Sequence, residues 1–309
     1  MGDIIKRLKN SYDTGGVREI SRKLLFKGIY KYHDRKIYKE VLNAKMEYGL
    51  CRKSERDYQV VVSLTTFPKR FLHIELCLKS LILQSEKPDR IIVYLGSDAN
   101  DVELPKSMKQ FEQYGVEFQH DKKRNLRSHK KYFYAMQEFP DAVVVTADDD
   151  VVYPVDWLKS LLDSYKEYPD AVSARRVHLM RKTEQNILVN YNQWFDQYRK
   201  MREPSHALLA TGNSGVLYPP HCLDQRAFDE EEIVRLCFEA DDIWLKCMAI
   251  LHGTKVVWVV NNEVNLPEVG GFGTAEMLSN INVFEGKNDL YLRQVMEKYH
   301  ITVDMFFEQ

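Results

Sequence analysis

The sequence predicts an α/β protein built on a mostly parallel sheet with helices on both faces. Three observations lead there. From Tyr58 onward, short β-rich runs alternate with segments of helical periodicity, the pattern of strand–helix–strand units. Runs such as Val60-Val61-Val62 and Val143-Val144-Val145 are apolar at consecutive positions, as strands covered on both faces require. Polar residues gather where these runs end, at Ser63–Thr66, Ser97-Asp98 and Asp148–Asp150, and ligands of open parallel sheets collect at the carboxyl ends of the strands.

Taken in order, 59–66 (QVVVSLTT) reads as the first strand, 71–84 as a helix with apolar residues at helical spacing, and 89–96 (DRIIVYLG) as the second strand. A third strand is expected at 116–119, a helix at 130–139, a fourth strand at 141–147 and a helix at 154–168. The second half is less regular. Residues 171–177 (AVSARRV) read as one strand and 191–206 as polar, aromatic loop. A small-residue turn at 211–215 enters a short strand that Pro219-Pro220 ends. A helix follows at 239–253, opened by acids and closed by Gly253, then a strand at 254–260 and a closing helix at 288–299. Between the last two lies a glycine-rich, mobile-looking stretch with Gly270, Gly271 and Gly273.

The first 56 residues differ in character. They hold fifteen Lys/Arg against seven Asp/Glu, whereas the remaining chain holds 29 against 38. Ile4, Ile5, Leu8, Leu24, Leu25, Ile29, Ile37, Val41 and Leu42 recur among the bases. Residues 1–56 are therefore expected to form a basic, amphipathic helical extension and 57–309 the main domain. The extension fits an anionic membrane surface, or equally a solvated helix packed on that domain. The overall formal charge of −1 argues against a general nucleic-acid binder. Five cysteines match no zinc or redox spacing and read as reduced thiols of a cytoplasmic protein. No apolar run is long enough to span a bilayer.

Three clusters carry chemistry. Asp148, Asp149 and Asp150 cap an apolar strand. In an extended segment Asp148 and Asp150 face one side and Asp149 the other. Two oxygen donors without Cys or His suit Mg²⁺ or Mn²⁺, with a diphosphate and waters in the open positions. Lys122, Lys123, Arg124, Arg127, Lys130 and Lys131 place six cations within ten residues. Arg127, Lys130 and Lys131 stand at a helix start, where phosphate binds readily. Asp241 and Asp242 open another helix, as capping acids or as a general base. The turn Gly212-Asn213-Ser214-Gly215 offers backbone amides and room for a ligand. His178, His206, His221 and His252 are isolated and read as packing or surface histidines.

The order of VSLTTFPKR, RIIVYLGSD, LRSHKKYFYAM, VVVTADDDVVYP, TGNSGVLYPP and EADDIWLKCMA resembles bacterial nucleotide-sugar glycosyltransferases of the GT-A (Rossmann-like) fold. The likeness is to the polysaccharide-assembly type with a DDD form of the Asp-X-Asp motif, with some similarity to exostosin-type transferases. The resemblance covers roughly 58–300. It implies that Ser63, Leu64, Thr65, Thr66 and Arg70 line the pocket for the base, and that Arg127, Lys130 and Lys131 steady the donor phosphates or sugar. Asp150 would be the main metal ligand and Asp148 would approach the ribose or the metal. Asp149 would hold the loop or reach toward the donor sugar, and Gly212, Asn213, Ser214 and Gly215 would lie under the sugar or acceptor. Asp242, or else Asp241, would be the catalytic carboxylate. The implied cofactors are Mn²⁺ or Mg²⁺ and a UDP-linked sugar. The implied acceptor is a glycan or lipid-linked oligosaccharide in surface polysaccharide synthesis, such as a capsule, at the inner face of the cell membrane. No histidine is assignable as a further metal ligand. A non-catalytic nucleotide-sugar or glycan-binding protein is the alternative. A sugar nucleotidyltransferase ranks below it, because the first strand lacks a glycine-rich phosphate loop.

Overall fold

The computed structural model describes residues 32–53, 56–120, 124–194, 201–260, 266–269 and 286–308. Residues 1–31, Lys122, Lys123 and the glycine-rich stretch at 270–273 lie outside them.

Nine strands are described: β1 (Val60–Thr66), β2 (Arg90–Leu95), β3 (Val116–His120), β4 (Val143–Ala147), β5 (Val172–Ala174), β6 (Val177–Leu179), β7 (Leu208–Ala210), β8 (Val216–Tyr218) and β9 (Val256–Trp258). The helices are α1 (32–43), α2 (Glu75–Ile82), α3 (Lys106–Lys109), α4 (Lys130–Glu138), α5 (Trp157–Glu167), α6 (Glu230–Leu236), α7 (Asp241–His252) and α8 (Lys287–Tyr299). Seven strands form one sheet in the order β3-β2-β1-β4-β8-β5-β9, and β6 pairs with β7 separately. Within the seven, β8 runs antiparallel to its neighbours β4 and β5, and the other pairings are parallel.

Alternation along each strand explains the consecutive valines. Val60, Val62 and Leu64 pack with Cys77, Leu78 and Leu81 of α2 and with Leu158 and Leu161 of α5. Val61 turns the other way, joining Ile92, Tyr94, Val144 and Ala135 of α4. Successive side chains thus feed two separate cores, each fully buried Val or Leu stabilising the fold by roughly 1.5–3 kcal/mol. A third cluster, built on α7 and α8, closes the β5–β9 end. Gly253, in the left-handed conformation at φ +87, terminates α7.

The described part of the basic extension lies against the main body. Ile37 and Val41 of α1 are buried in the α2 core, the Lys79 ammonium donates to the Leu42 carbonyl at 2.8 Å, and the amides of Gly49 and Cys51 donate to Tyr114 and Pro88.

One sequence expectation is corrected, and two elements were not anticipated. Residues 171–177 do not form one strand. The chain leaves the main sheet after Ala174 and enters the small one at Val177, with Arg175 buried and donating to Ser160 Oγ at 2.6 Å. β7 begins just past the 191–206 run read as loop and was not anticipated; three residues are too few to show a period. Helix α6 was missed, although its signals were in the sequence: Asp229 caps it by accepting from the Glu232 amide at 3.1 Å, and three glutamates fill its first turn.

Candidate active site

A cavity of about 650 Å³ opens at the carboxyl edge of the parallel strands. Each element delivers residues from its end. β1 ends in Thr65 and Thr66 and runs into a 3-10 turn carrying Arg70; Asp98 follows β2; Asn125, Arg127, Lys130 and Lys131 lie between β3 and the start of α4; the acid triplet follows β4. Arg176 follows β5, Thr211–Asn213 precede β8, Asp241 and Asp242 open α7, and Glu268 and Asn288 complete the wall.

The acid triplet does not alternate as an extended strand would. β4 stops at Ala147 and Asp149–Asp150 form a turn, so the sides are redistributed. The Arg70 guanidinium grips both Asp149 and Asp150, the latter at 3.1 Å, and is stacked over the Phe67 ring at 5.2 Å. Asp148 instead accepts from the Lys131 ammonium at 2.8 Å. Burial, then the charges of Asp148 and Asp149, push the Asp150 carboxyl up to about 7. The turn is tied down from outside by the Val269 amide, which donates to the Asp150 carbonyl at 2.7 Å.

Lys131 joins the triplet to α7. Only 4% exposed, it also pairs with Asp241 at 3.0 Å. Burial lowers its pKa, but Asp148, Asp241 and Asp242 together outweigh that and hold it well above the usual lysine value. Gly212 leaves space for this ammonium, since a Cβ there would stand 2.7 Å from Nζ. The two α7 acids are driven apart. Burial raises Asp241, but Lys131 and then His129 outweigh it, so its carboxyl lies below the usual range. Burial, then the Asp241 charge, push Asp242 up to about 7, while the Gly212 amide donates to its Oδ1 at 3.0 Å.

Most of the expected site residues meet at this cavity: Thr65, Thr66, Arg70, Arg127, Lys130, Lys131, Asp148, Asp149, Asp150, Gly212, Asn213, Asp241 and Asp242. Four do not line it. Ser63 is buried and donates to the Lys131 carbonyl at 2.5 Å, and Leu64 faces the α2 core, because both precede the strand's end. Ser214 accepts from the Trp157 indole at 2.8 Å. Gly215, at φ +92, lies so close to that indole that a Cβ would stand 2.4 Å from Nε1. Arg127 pairs with Glu239 at 2.9 Å, and Lys130, buried, donates to Asn125 at 2.5 Å. Of the isolated histidines, His178 is buried against Tyr191, the His206 carbonyl accepts from Lys246, His221 bonds Asp141 and His252 bonds Thr254.

Arg176, Tyr191, Glu268, Asn288 and Asn125 were not anticipated. Arg176 stands beside Arg175 near the end of the run read as one strand, and Asn125 inside the basic run, but Tyr191, Glu268 and Asn288 carry no such signal and tertiary folding gathers them.

The lining carries eight carboxylates against five Lys or Arg, a local excess of negative charge that a divalent cation would offset. The donors are oxygens alone, which suits Mg²⁺ or Mn²⁺. Among the described residues no three His, Cys, Asp or Glu are grouped to hold a metal by themselves.

With this geometry in place, comparison with known families is decisive. Residues 69–221 match glycosyl transferase family 2. The chain carries a glycosyl transferase family 2 domain. The activity class of that domain is transfer of a sugar from a nucleotide-sugar donor to an acceptor. The matched span includes Arg70, the acid triplet and the 211–215 turn, while β1 and the Asp241-Asp242 pair lie outside it. Among solved structures, the mannosyltransferase PcManGT from Pyrobaculum calidifontis, in complex with GDP-Man and Mn²⁺, is 14% identical over 91% of this chain and 74% of its own, with a TM-score of 0.50. A 4-diphosphocytidyl-2C-methyl-D-erythritol synthase (11% identical, 69% of this chain and 93% of its own, TM-score 0.43) is also similar. So is a CMP:2-keto-3-deoxy-manno-octonic acid synthetase complexed with CTP (11%, 75% and 99%, 0.42). These likenesses concern the fold. No curated protein matches the chain.

Proposed function

We propose that the glycosyl transferase domain moves a hexose or N-acetylhexosamine from a UDP-sugar to a lipid-linked glycan during surface polysaccharide assembly. The observation that carries this reading is the convergence of the acid triplet, Lys131 and the Asp241-Asp242 pair on one cavity. Thr65, Thr66 and Arg70 border the nucleoside end, with Asp98 as a further polar contact. Arg127 and Lys130 face the phosphates. Asp149 anchors Arg70. Asp148 and Asp150 are the residues that would hold a divalent cation, which, when bound, offsets the charge gathering on the leaving diphosphate.

The remaining steps belong to the chain's own groups. Asp242, ionising near neutral pH, is placed to take the proton of the acceptor hydroxyl in an inverting transfer. The Gly212 amide fixes its Oδ1, and Lys131 holds Asp241 ionised beside it, so the proton released by the acceptor goes to Asp242. Membrane association is supported by the outer face of α1, where Tyr32, Tyr38 and Leu42 stand exposed among Arg35, Lys36 and Lys39. Among the described residues no helix is long and apolar enough to cross a membrane.

The test is a panel of UDP-, GDP-, CMP- and dTDP-sugars, with and without Mn²⁺, scored by thermal stabilisation and donor hydrolysis. A UDP-hexose or UDP-N-acetylhexosamine that raises Tm only with Mn²⁺ is the expected result, because selective binding to the native state stabilises it. Absence of any stabilisation or hydrolysis across the panel rejects the reading.

A further inference from the structure

The cations of the cavity are not equivalent. Arg70 is committed to Asp149 and Asp150, Arg127 to Glu239, and Lys131 to Asp148 and Asp241. Arg176 also lines the cavity, yet among the described residues its guanidinium meets no carboxylate; its side-chain bond is a long one, from Nη1 to Thr211 Oγ1 at 3.3 Å. An arginine carries five donors in a planar fork that fits a carboxylate or phosphate. Among the described residues most of that capacity is unused. The residue is held in place from its backbone, since the Thr211 amide and hydroxyl both donate to its carbonyl, at 3.0 and 3.3 Å.

The order of strands says which part of a substrate Arg176 meets. Along the sheet edge, Asp98 follows β2, Arg70 follows β1, the acid triplet follows β4, the Thr211–Asn213 turn precedes β8, and Arg176 follows β5. Three strand spacings separate β1 from β5, roughly 14 Å. A nucleoside at β1 and β2 with its diphosphate at β4 therefore ends before Arg176 begins. What lies there is the transfer end of the cavity. Thr211, which Arg176 contacts, directly precedes Gly212, whose amide holds Asp242. Tyr191 marks the same place: burial and then the Asp242 charge push its phenol up, while Arg176 pulls it down.

We infer that Arg176 selects an anionic sugar, binding a carboxylate or phosphate substituent on the residue being transferred or on the acceptor sugar next to it. The inference rests on the nucleotide-sugar transfer proposed above and adds the substrate class. Neutral hexoses would leave a charged guanidinium in the cavity wall without its counter-ion, so the preference is for acidic building blocks over neutral ones of the same shape.

Two matched pairs of probes distinguish the two sources, each measured by calorimetry with Mn²⁺ present. The donor pair is UDP-glucose and UDP-glucuronic acid. The acceptor pair, added to protein saturated with UDP, is methyl β-glucoside and methyl β-glucuronide, with glucose 6-phosphate as the phosphate counterpart. The anionic member of one pair is expected to bind about tenfold tighter or more to the wild type. Arg176→Gln, which can keep the Thr211 bond, should erase that preference while leaving the neutral member's affinity unchanged, and Arg176→Lys should restore part of it. A preference in the donor pair assigns the anion to the transferred sugar; one in the acceptor pair assigns it to the acceptor. Equal affinities in both pairs, or a preference that survives in Arg176→Gln, overturn the inference while nucleotide-sugar binding itself still stands. Wild-type protein that binds no nucleotide sugar overturns the transfer reading and this inference with it.

Discussion

At the scale of single residues, Asp241 and Asp242 show how environment separates two identical side chains. They are adjacent at the start of α7, where the helix dipole favours negative charge. Lys131 takes Asp241, and burial, then the charge left on Asp241, raise Asp242 to about 7. A general base must be ionised, so transfer should rise with pH through about 7 and then level off. Asp242→Asn should lower kcat by about 10²- to 10⁴-fold and abolish that rise in a pH–rate profile. Stability moves oppositely. Above about pH 4 the unfolded carboxyl has lost its proton while the folded one keeps it until about 7, so this group's contribution falls as pH rises across that window. Denaturant titrations of Asp242→Asn at pH 5 and pH 8 should show the variant gaining on the wild type at pH 8. The sequence identified both acids and Lys131 as candidates, but it placed Lys131 on donor phosphates. Its pairing with two aspartates far apart in sequence depends on how α4 lies against α7 and β4, and residue order does not show that.

At the scale of elements, the strand–helix alternation was legible because the parallel strands are buried on both faces and so read as continuous apolar runs. β1, β2, β4, α2, α4, α5 and α7 lie within the spans read from the sequence, and β3 runs one residue past its own. Legibility failed at β5 and β6, read as one strand, and at β7, because three residues show no period; β8 and β9 are as short but were marked by the glycine turn and Pro219-Pro220 and by an apolar run. It failed too at strand termini. Ser63 and Leu64 share a motif with Thr65 and Thr66, yet they stop short of the edge and serve the core. The 211–215 turn divides similarly, its first half facing the cavity and its second half packing on α5. Gly215 combines a left-handed φ of +92 with the Trp157 ring where a Cβ would go. Gly215→Ala should therefore destabilise the protein by about 3 kcal/mol or more, seen as a lower urea midpoint. An unchanged midpoint would remove the packing role assigned to this glycine.

At the scale of the whole molecule, the proposed transfer makes the sheet edge a linear site, with nucleoside, diphosphate, transferred sugar and acceptor laid out from β2 to β5. The near-zero net charge of the chain hides a cavity lined by eight carboxylates and five Lys or Arg, an excess that a bound divalent cation would reduce. Asp150 is the residue on which this balance turns, since burial and its two neighbours already push it up to about 7 without a cation. The most direct test of metal-dependent transfer is therefore Asp150→Ala, followed by Mn²⁺-dependent thermal stabilisation with the cognate nucleotide sugar and by sugar transfer. The variant should fold with stability at or above the wild type at pH 8, because it removes a buried, mutually repelling charge. It should also lose both the Mn²⁺-dependent stabilisation and the transfer. A folded Asp150→Ala protein that still transfers sugar and still responds to Mn²⁺ would contradict the account.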